Sequence, residues 1–306
     1  MGRWQKRALW TLGVLVVLGG PLYGWLALYS PQAEGVFVID GARLRHFANE
    51  LPGEKPSEVR YEHVFDFEFA QAMVMAGEPW KATPISVYSY QLLTPTGRIV
   101  VDTAMPRTLA QPEFMVPFYD EAAYQRMQQG LLQASQIVLT HEHMDHIGGL
   151  AASPNLAQLL PALKLTREQL DNPEGMQPSK LPASLMLGYQ PLQYEDMMAI
   201  APGVVLVKAP GHTPGSQMVY VELADGRELL LIGDVAWQHR NIAAVRERPL
   251  FMTAMIGEDR QAVINQFQAL HDLEQSEPAI RVVPGHDPEV VQQLTREGLL
   301  RAGFSE

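Results

Sequence analysis

The stretch Thr140-His141-Glu142-His143-Met144-Asp145-His146-Ile147-Gly148-Gly149 limits what this chain can fold into more than any other part of it. Three histidines and one aspartate fall within six residues, directly after the apolar, strand-like run Gln136-Ile137-Val138-Leu139. Alternate residues of an extended segment point the same way, so His141 and His143 can approach one ion together. Asp145 and His146 follow where the chain should turn, and can face a second ion from the other side. Gly148 and Gly149 permit a sharp turn that starts a helix over the site. Imidazole nitrogens and a carboxylate suit a borderline divalent cation such as zinc. A polar turn with solvated histidines is the plainer alternative, and four ligand-type residues at this density speak against it.

Three later places share one pattern, an apolar strand that ends at a glycine followed directly by a His or Asp. Residues 204–207 lead to Gly211-His212, residues 229–232 to Gly233-Asp234, and residues 281–283 to Gly285-His286. The repetition places His212, Asp234 and His286 along one edge of a sheet sandwich, beside the first cluster.

On these residues the chain resembles the metallo-β-lactamase superfamily, whose signature HxHxDH…H…D…H it carries in full between about residues 60 and 290. The resemblance implies an α+β fold, a four-layer αββα sandwich with metals at one rim of the sheets. It implies that His141, His143 and His212 hold one metal, that Asp145, His146 and His286 hold the other, and that Asp234 bridges the two. Two Zn2+ are the implied cofactors, with iron or manganese as other occupants. Paired metals lower the pKa of a shared water from 15.7 towards about 7, giving a hydroxide that attacks an electron-poor carbon or phosphorus. Asp145 is then also the expected catalytic residue, orienting that hydroxide and passing its proton to the leaving group.

The ligand set discriminates among relatives. Most metallo-β-lactamases place Cys or Ser where this chain has Asp234, which disfavours antibiotic hydrolysis. The N-acyl homoserine lactonases share all seven ligands and the Gly-His-Asp at 285–287. They usually carry a tyrosine three residues after the bridging Asp, where this chain has Trp237, whose indole N–H donates a hydrogen bond but cannot shuttle a proton. Trp237 and His239 are the expected substrate contacts. Asp102, at the end of the strand-like run 98–101, is expected to support a metal ligand from behind, or else to cap the following turn. His46, His63 and His271 read as surface or structural residues. The expected reaction is hydrolysis of an ester or lactone carbonyl in a small molecule. Two other readings are a mononuclear iron, persulfide dioxygenase-like oxidoreductase and a non-catalytic metal-binding protein.

Composition bounds the rest. A net charge of −11 argues against nucleic acid as a partner, because phosphate binding needs a basic surface. The chain has no cysteine, which excludes thiolate zinc sites, disulfides and cysteine nucleophiles. Residues 8–29 carry no charge and follow Arg3, Lys6 and Arg7. As one helix they would reach about 33 Å, enough for a bilayer core of roughly 30 Å. An N-terminal transmembrane helix is therefore expected, with the membrane as partner and the catalytic domain on the exported side. Secretion after signal cleavage is the alternative. The expected division is residues 1–30 as anchor or signal, 31–60 as tether and wrap-around segment, and 61–306 as catalytic domain.

Overall fold

A computed structural model describes residues 3–112 and 115–305. Its strands are β1 (Glu58–Ala70), β2 (Ala82–Thr94), β3 (Gly97–Val101), β4 (Phe118–Tyr119), β5 (Ala134–Val138), β6 (Met197–Ala201), β7 (Val204–Lys208), β8 (Gln217–Glu222), β9 (Glu228–Leu231), β10 (Ile280–Val283) and β11 (Leu300–Ala302). They form two sheets. One runs β11-β1-β2-β3-β5 with β4 paired to β1, and the other runs β10-β9-β8-β7-β6.

The strands are apolar at successive positions, as strands buried on both faces must be. Side chains alternate between faces, so each strand feeds two cores. Ile99 and Val101 of β3 meet Val204, Leu206, Val219 and Leu229 between the sheets. Val100 points the other way, toward Met127 and Leu131 of the helix Glu121–Leu132 and Ile147 and Leu150 of the helix Met144–Ala151. On the second sheet Val205, Met218, Tyr220 and Leu230 face outward onto Val263, Phe267 and Leu270 of the helix Arg260–Ser276, with Leu44 beside them. Helix, sheet, sheet, helix: the expected αββα layering is observed.

This arrangement brings the ligand-bearing loops to one rim. β5 runs parallel to β3, and β10 parallel to β9, so the segments after Val101, Val138, Leu231 and Val283 leave on the same side. The Asp225-Gly226 hairpin joins β8 to β9, with Gly226 at φ 83°, the left-handed conformation that Gly adopts without a Cβ penalty.

The N-terminal expectation needs correction. Among the described residues, no helix is long and apolar enough to cross a membrane. The α-helix spans Arg3–Tyr23, so its sequence begins with three cations, and Gly24–Leu28 winds as a π-helical turn. The uncharged part of the α-helix, residues 8–23, reaches about 24 Å, short of the roughly 30 Å required. The end of the apolar run belongs to the domain surface instead. Ala27 is buried and its carbonyl accepts from Gly77 N, while Leu28 O accepts from Arg246 and Tyr29 O from Arg260. The following segment contains the helix Gly41–Ala48, capped by Asp40, whose side chain accepts from Arg43 N at 2.8 Å.

Gly148 and Gly149 also do something other than expected. The helix begins at Met144, and both glycines lie inside it. A Cβ on Gly149 would sit 1.9 Å from Thr103 O and 2.8 Å from Met127 Cε. The glycines let the helix press onto residues 103–105, where Thr103 N and Oγ1 both donate to His146 O at 2.7 Å. Close backbone approach, rather than turning, is what requires them. Gly149→Ala should therefore cost about 3 kcal/mol or more, the top of the range for overpacking, as measured by urea unfolding. A loss under about 1 kcal/mol would contradict the close approach.

Candidate metal centre

Each ligand arrives from a strand end. His141 and His143 follow β5, and Asp145 and His146 occupy the first turn of the helix Met144–Ala151. His212 follows β7, Asp234 lies in the short turn Gly233–Val235 after β9, and His286 follows β10. These residues converge as two groups that share one carboxylate, His141, His143, His212 and Asp234 on one side and Asp145, His146, Asp234 and His286 on the other. Within each group the ligand atoms all lie within 4.8 Å of one another.

The two oxygens of Asp234 lean toward different groups, with His286 Nε2 within reach of both, 3.1 Å from Oδ2 as well as close to Oδ1. Oδ2 is 3.8 Å from His141 Nε2 and 3.5 Å from His212 Nε2. Oδ1 is 3.3 Å from His146 Nε2 and 2.9 Å from His286 Nε2. In the first group His143 Nδ1 lies 3.1 Å from His141 Nε2 and 3.0 Å from His212 Nε2. In the second, Asp145 Oδ2 is 3.7 Å from His146 Nε2 and 3.5 Å from His286 Nε2. A Cβ on Gly285 would stand 2.4 Å from Asp234 Oδ1, so only glycine leaves room for that oxygen.

The outer nitrogens of the histidines decide whether a cation fits. His146 Nδ1 donates to Asp102 Oδ2 at 2.9 Å, His212 Nδ1 to Glu258 Oε2 at 2.7 Å, and His286 Nδ1 to Ser86 O at 2.9 Å. The Thr140 hydroxyl donates to Asp102 Oδ2 at 2.8 Å and so accepts from His141 Nδ1 at 3.2 Å. With those protons on the outer nitrogens, the neutral rings of His141, His146, His212 and His286 each turn a lone pair inward. Lone pairs then face other lone pairs and a carboxylate, and His146 Nε2 and Asp234 Oδ1 are buried without an aligned hydrogen bond even though ring nitrogens stand within 3.3 Å of that oxygen. A buried acceptor facing only acceptors is costly. Cations between them would turn the same arrangement into coordination, and a neutral imidazole held by an outer acceptor is the usual metal ligand.

Electrostatics follow the same division. Burial, with His212 next, pushes His143 down to about 3, and burial with His146 holds His141 well below the ordinary imidazole range. Burial also opposes a charge on His146, but Asp102, Asp234 and Asp145 outweigh it and raise that ring well above its ordinary value. Burial opposes the Asp234 carboxylate, and His286, His146 and His141 outweigh it and hold it far below the carboxylate range.

Asp102 stands behind the ligands, as one of the two readings of it expected. Its φ of 60° is left-handed for a non-glycine residue, a conformation costing roughly 1–3 kcal/mol that surrounding structure must hold. Three bonds hold it: Thr140 N at 2.7 Å, Thr140 Oγ1 at 2.8 Å and His146 Nδ1 at 2.9 Å.

The two expected substrate contacts are placed elsewhere. Trp237 is buried, and its Nε1 donates to Asp234 Oδ2 at 2.8 Å. Its ring packs with Val74, Ile85 and Met252, so this side chain fixes the shared carboxylate rather than facing a substrate. His239 turns away to Glu274, 2.9 Å from its Nε2. What lies over the ligands is a cleft of ≈ 640 Å³. It is lined by His143, Asp145 and His212, by Asn172 and Gln177 from the long insertion, and by Met255 and Ile256 from the helix Leu250–Ile256.

Several residues at the site had no signal in the sequence. Glu142, between His141 and His143, turns away from the cluster and clasps the cleft walls, accepting from Asn172 Nδ2 at 2.6 Å and Thr213 Oγ1 at 2.8 Å. Glu258 stands two residues before the helix Arg260–Ser276. Its neighbour Asp259 is the cap, accepting from Gln261 N and Ala262 N, and Glu258 turns inward to His212. Asp102→Ala should weaken metal binding by about 10–100-fold, the usual cost of losing an outer partner of a ligand, as measured by chelator competition. Unchanged affinity would show that the Asp102–His146 bond does not serve the metal site.

Comparison with known proteins agrees with this geometry. Residues 81–286 match the family described as the metallo-beta-lactamase superfamily. An N-acyl homoserine lactonase of Bacillus thuringiensis is 27% identical over 228 residues, 69% of this chain and 85% of the relative. A probable metallo-hydrolase of Mycobacterium tuberculosis is 32% identical over 184 residues, 51% of this chain and 56% of that protein. The fold is similar to the crystal structure of a quorum-quenching N-acyl homoserine lactone hydrolase, with a TM-score of 0.62 at 21% identity over 78% of this chain and 95% of the other. With two-thirds of its length matched and a shared carboxylate between two histidine groups, the chain belongs to the metallo-β-lactamase superfamily and is a metal-dependent hydrolase of that family.

Proposed function

We propose that this hydrolase opens a lactone or cleaves an ester, using two zinc ions held by His141, His143 and His212 and by Asp145, His146 and His286, with Asp234 between them. The observation that carries the reading is that the Asp234 carboxylate belongs to both groups, with Oδ2 3.5 Å from His212 Nε2 and Oδ1 3.3 Å from His146 Nε2. Nitrogen and carboxylate ligands without thiolate suit zinc. A bound metal pair supplies Lewis acidity toward a carbonyl oxygen and lowers the pKa of water.

The chain's own groups do the rest. Asp145 is the least buried of the ligand carboxylates and lines the cleft. From there its carboxylate orients the attacking water, takes its proton and passes that proton to the departing alkoxide. Trp237 takes no part in proton movement, because its N–H is committed to Asp234 and an indole does not ionise in this range. The carbonyl is therefore polarised without the tyrosine that resembling lactonases usually provide. Met255 and Ile256 offer apolar surface to an acyl chain, and Asn172 and Gln177 line the same cleft. N-acyl homoserine lactones, named for the Bacillus relative, combine these features and are the first substrate class to try.

Two outcomes test the reading. Zinc-replete protein should hydrolyse lactones or aryl esters, lose the activity to a chelator and regain it with zinc; hydrolysis untouched by metal removal would refute it. Asp234→Ala should fold, retain at most one zinc per chain and lose at least about a hundredfold in kcat, since Lewis-acid stabilisation is worth several kcal/mol. A mutant that keeps two zincs and wild-type turnover would remove Asp234 from the bridging position.

A further inference from the structure

Behind the ligands lies a buried charged network that the reaction itself does not use. Arg248 is fully buried, the largest side chain in the molecule to be so. Its Nη1 donates to Glu258 Oε2 at 2.9 Å, and its Nη2 donates to the backbone carbonyl of Asp234 at 2.7 Å. The guanidinium carbon lies 4.5 Å from the centre of the Trp237 ring, a cation–π distance. Each of these partners touches a metal-ligand residue. Glu258 Oε2 accepts from His212 Nδ1 at 2.7 Å, and Trp237 Nε1 donates to Asp234 Oδ2 at 2.8 Å.

We propose that Arg248 is a positioning residue that ties His212 to Asp234, using Glu258 on one side and the Asp234 backbone with Trp237 on the other, so that the first metal group and the shared carboxylate keep one geometry. The proposal rests on the metal-ligand reading given above. One planar fork meets two acceptors and an aromatic face, which a lysine ammonium cannot do at once. Burying a guanidinium costs several kcal/mol, and buried ion pairs are a weak source of stability compared with apolar packing. A network retained at that cost needs another use. Here both of its ends terminate on groups that must hold their direction to within a fraction of an ångström for coordination. Glu247 lies beside it, accepting from Arg248 N at 2.8 Å, so the guanidinium is enclosed by carboxyl groups and the backbone rather than by water.

A purely structural ion pair predicts something different from a positioning one, and zinc binding separates them. Zinc affinities of wild type, Glu258→Gln and Arg248→Lys are measured by chelator competition, with thermal unfolding of each apoprotein in parallel. Glu258→Gln keeps the shape and an acceptor but removes the carboxylate from His212. It should weaken one of the two zinc steps by about 10–100-fold and leave the other unchanged, with an apoprotein melting temperature close to wild type. Arg248→Lys should weaken both steps, because it loosens both ends. Wild-type zinc affinity in a folded Glu258→Gln overturns the proposal. So does a loss of both steps in that variant accompanied by a lowered apoprotein melting temperature. If Arg248→Lys does not fold, Glu258→Gln decides alone. A wild-type protein that binds no zinc pair refutes instead the metal reading beneath it, so the two failures are distinct.

Discussion

The Asp234 carboxylate lies between two groups of histidines, all but His143 buried, and nearly every other feature of the site makes that position tenable. The rings of His146, His141, His212 and His286 present lone pairs inward because their outer nitrogens are already spent on Asp102, Thr140, Glu258 and the Ser86 carbonyl. An arrangement of acceptors facing acceptors is unfavourable in a low-dielectric interior, and divalent cations are what make it favourable.

The sandwich meets that demand through parallel pairing at two places. β3 with β5 and β9 with β10 bring Asp102, His141, Asp234 and His286 to one rim. Strands buried on both faces cannot slide by one residue without exchanging two cores, so the ligand positions are fixed by the packing of residues that never touch a metal. Gly149 and Gly285 then remove the side chains that would keep the helix Met144–Ala151 off residues 103–105 and displace Asp234 Oδ1.

Much of this was legible in the sequence, for a physical reason. In a chain without cysteine, a metal ligand at a strand end is most readily His or Asp, follows an apolar run, and often needs glycine beside it, so strand, glycine and ligand appear together in the primary structure. The layering was legible only through resemblance to a family, because an apolar strand does not reveal which sheet it joins. The outer partners were mostly hidden. Arg248 and Glu258 look like any surface pair, and nothing local says that an acid two residues before a helix will point inward while its neighbour caps the helix. Trp237 was noticed but misdirected: its N–H serves the carboxylate three residues earlier, a contact set by the turn Gly233–Val235. His239 was carried into the site by sequence proximity alone, and Glu274 holds it elsewhere. The N-terminal run misled because an uncharged stretch was taken as one helix, whereas it divides into an α-helix, a π-helical turn and a segment bound to the domain surface.

The account stands on a single geometric claim, that two cations sit on either side of one carboxylate. Anomalous diffraction at the zinc absorption edge from crystals of zinc-loaded protein tests it most directly. Two peaks are predicted, one among His141, His143 and His212 and one among Asp145, His146 and His286, with an oxygen of Asp234 on each. A single peak, or two peaks of which Asp234 touches only one, would contradict it.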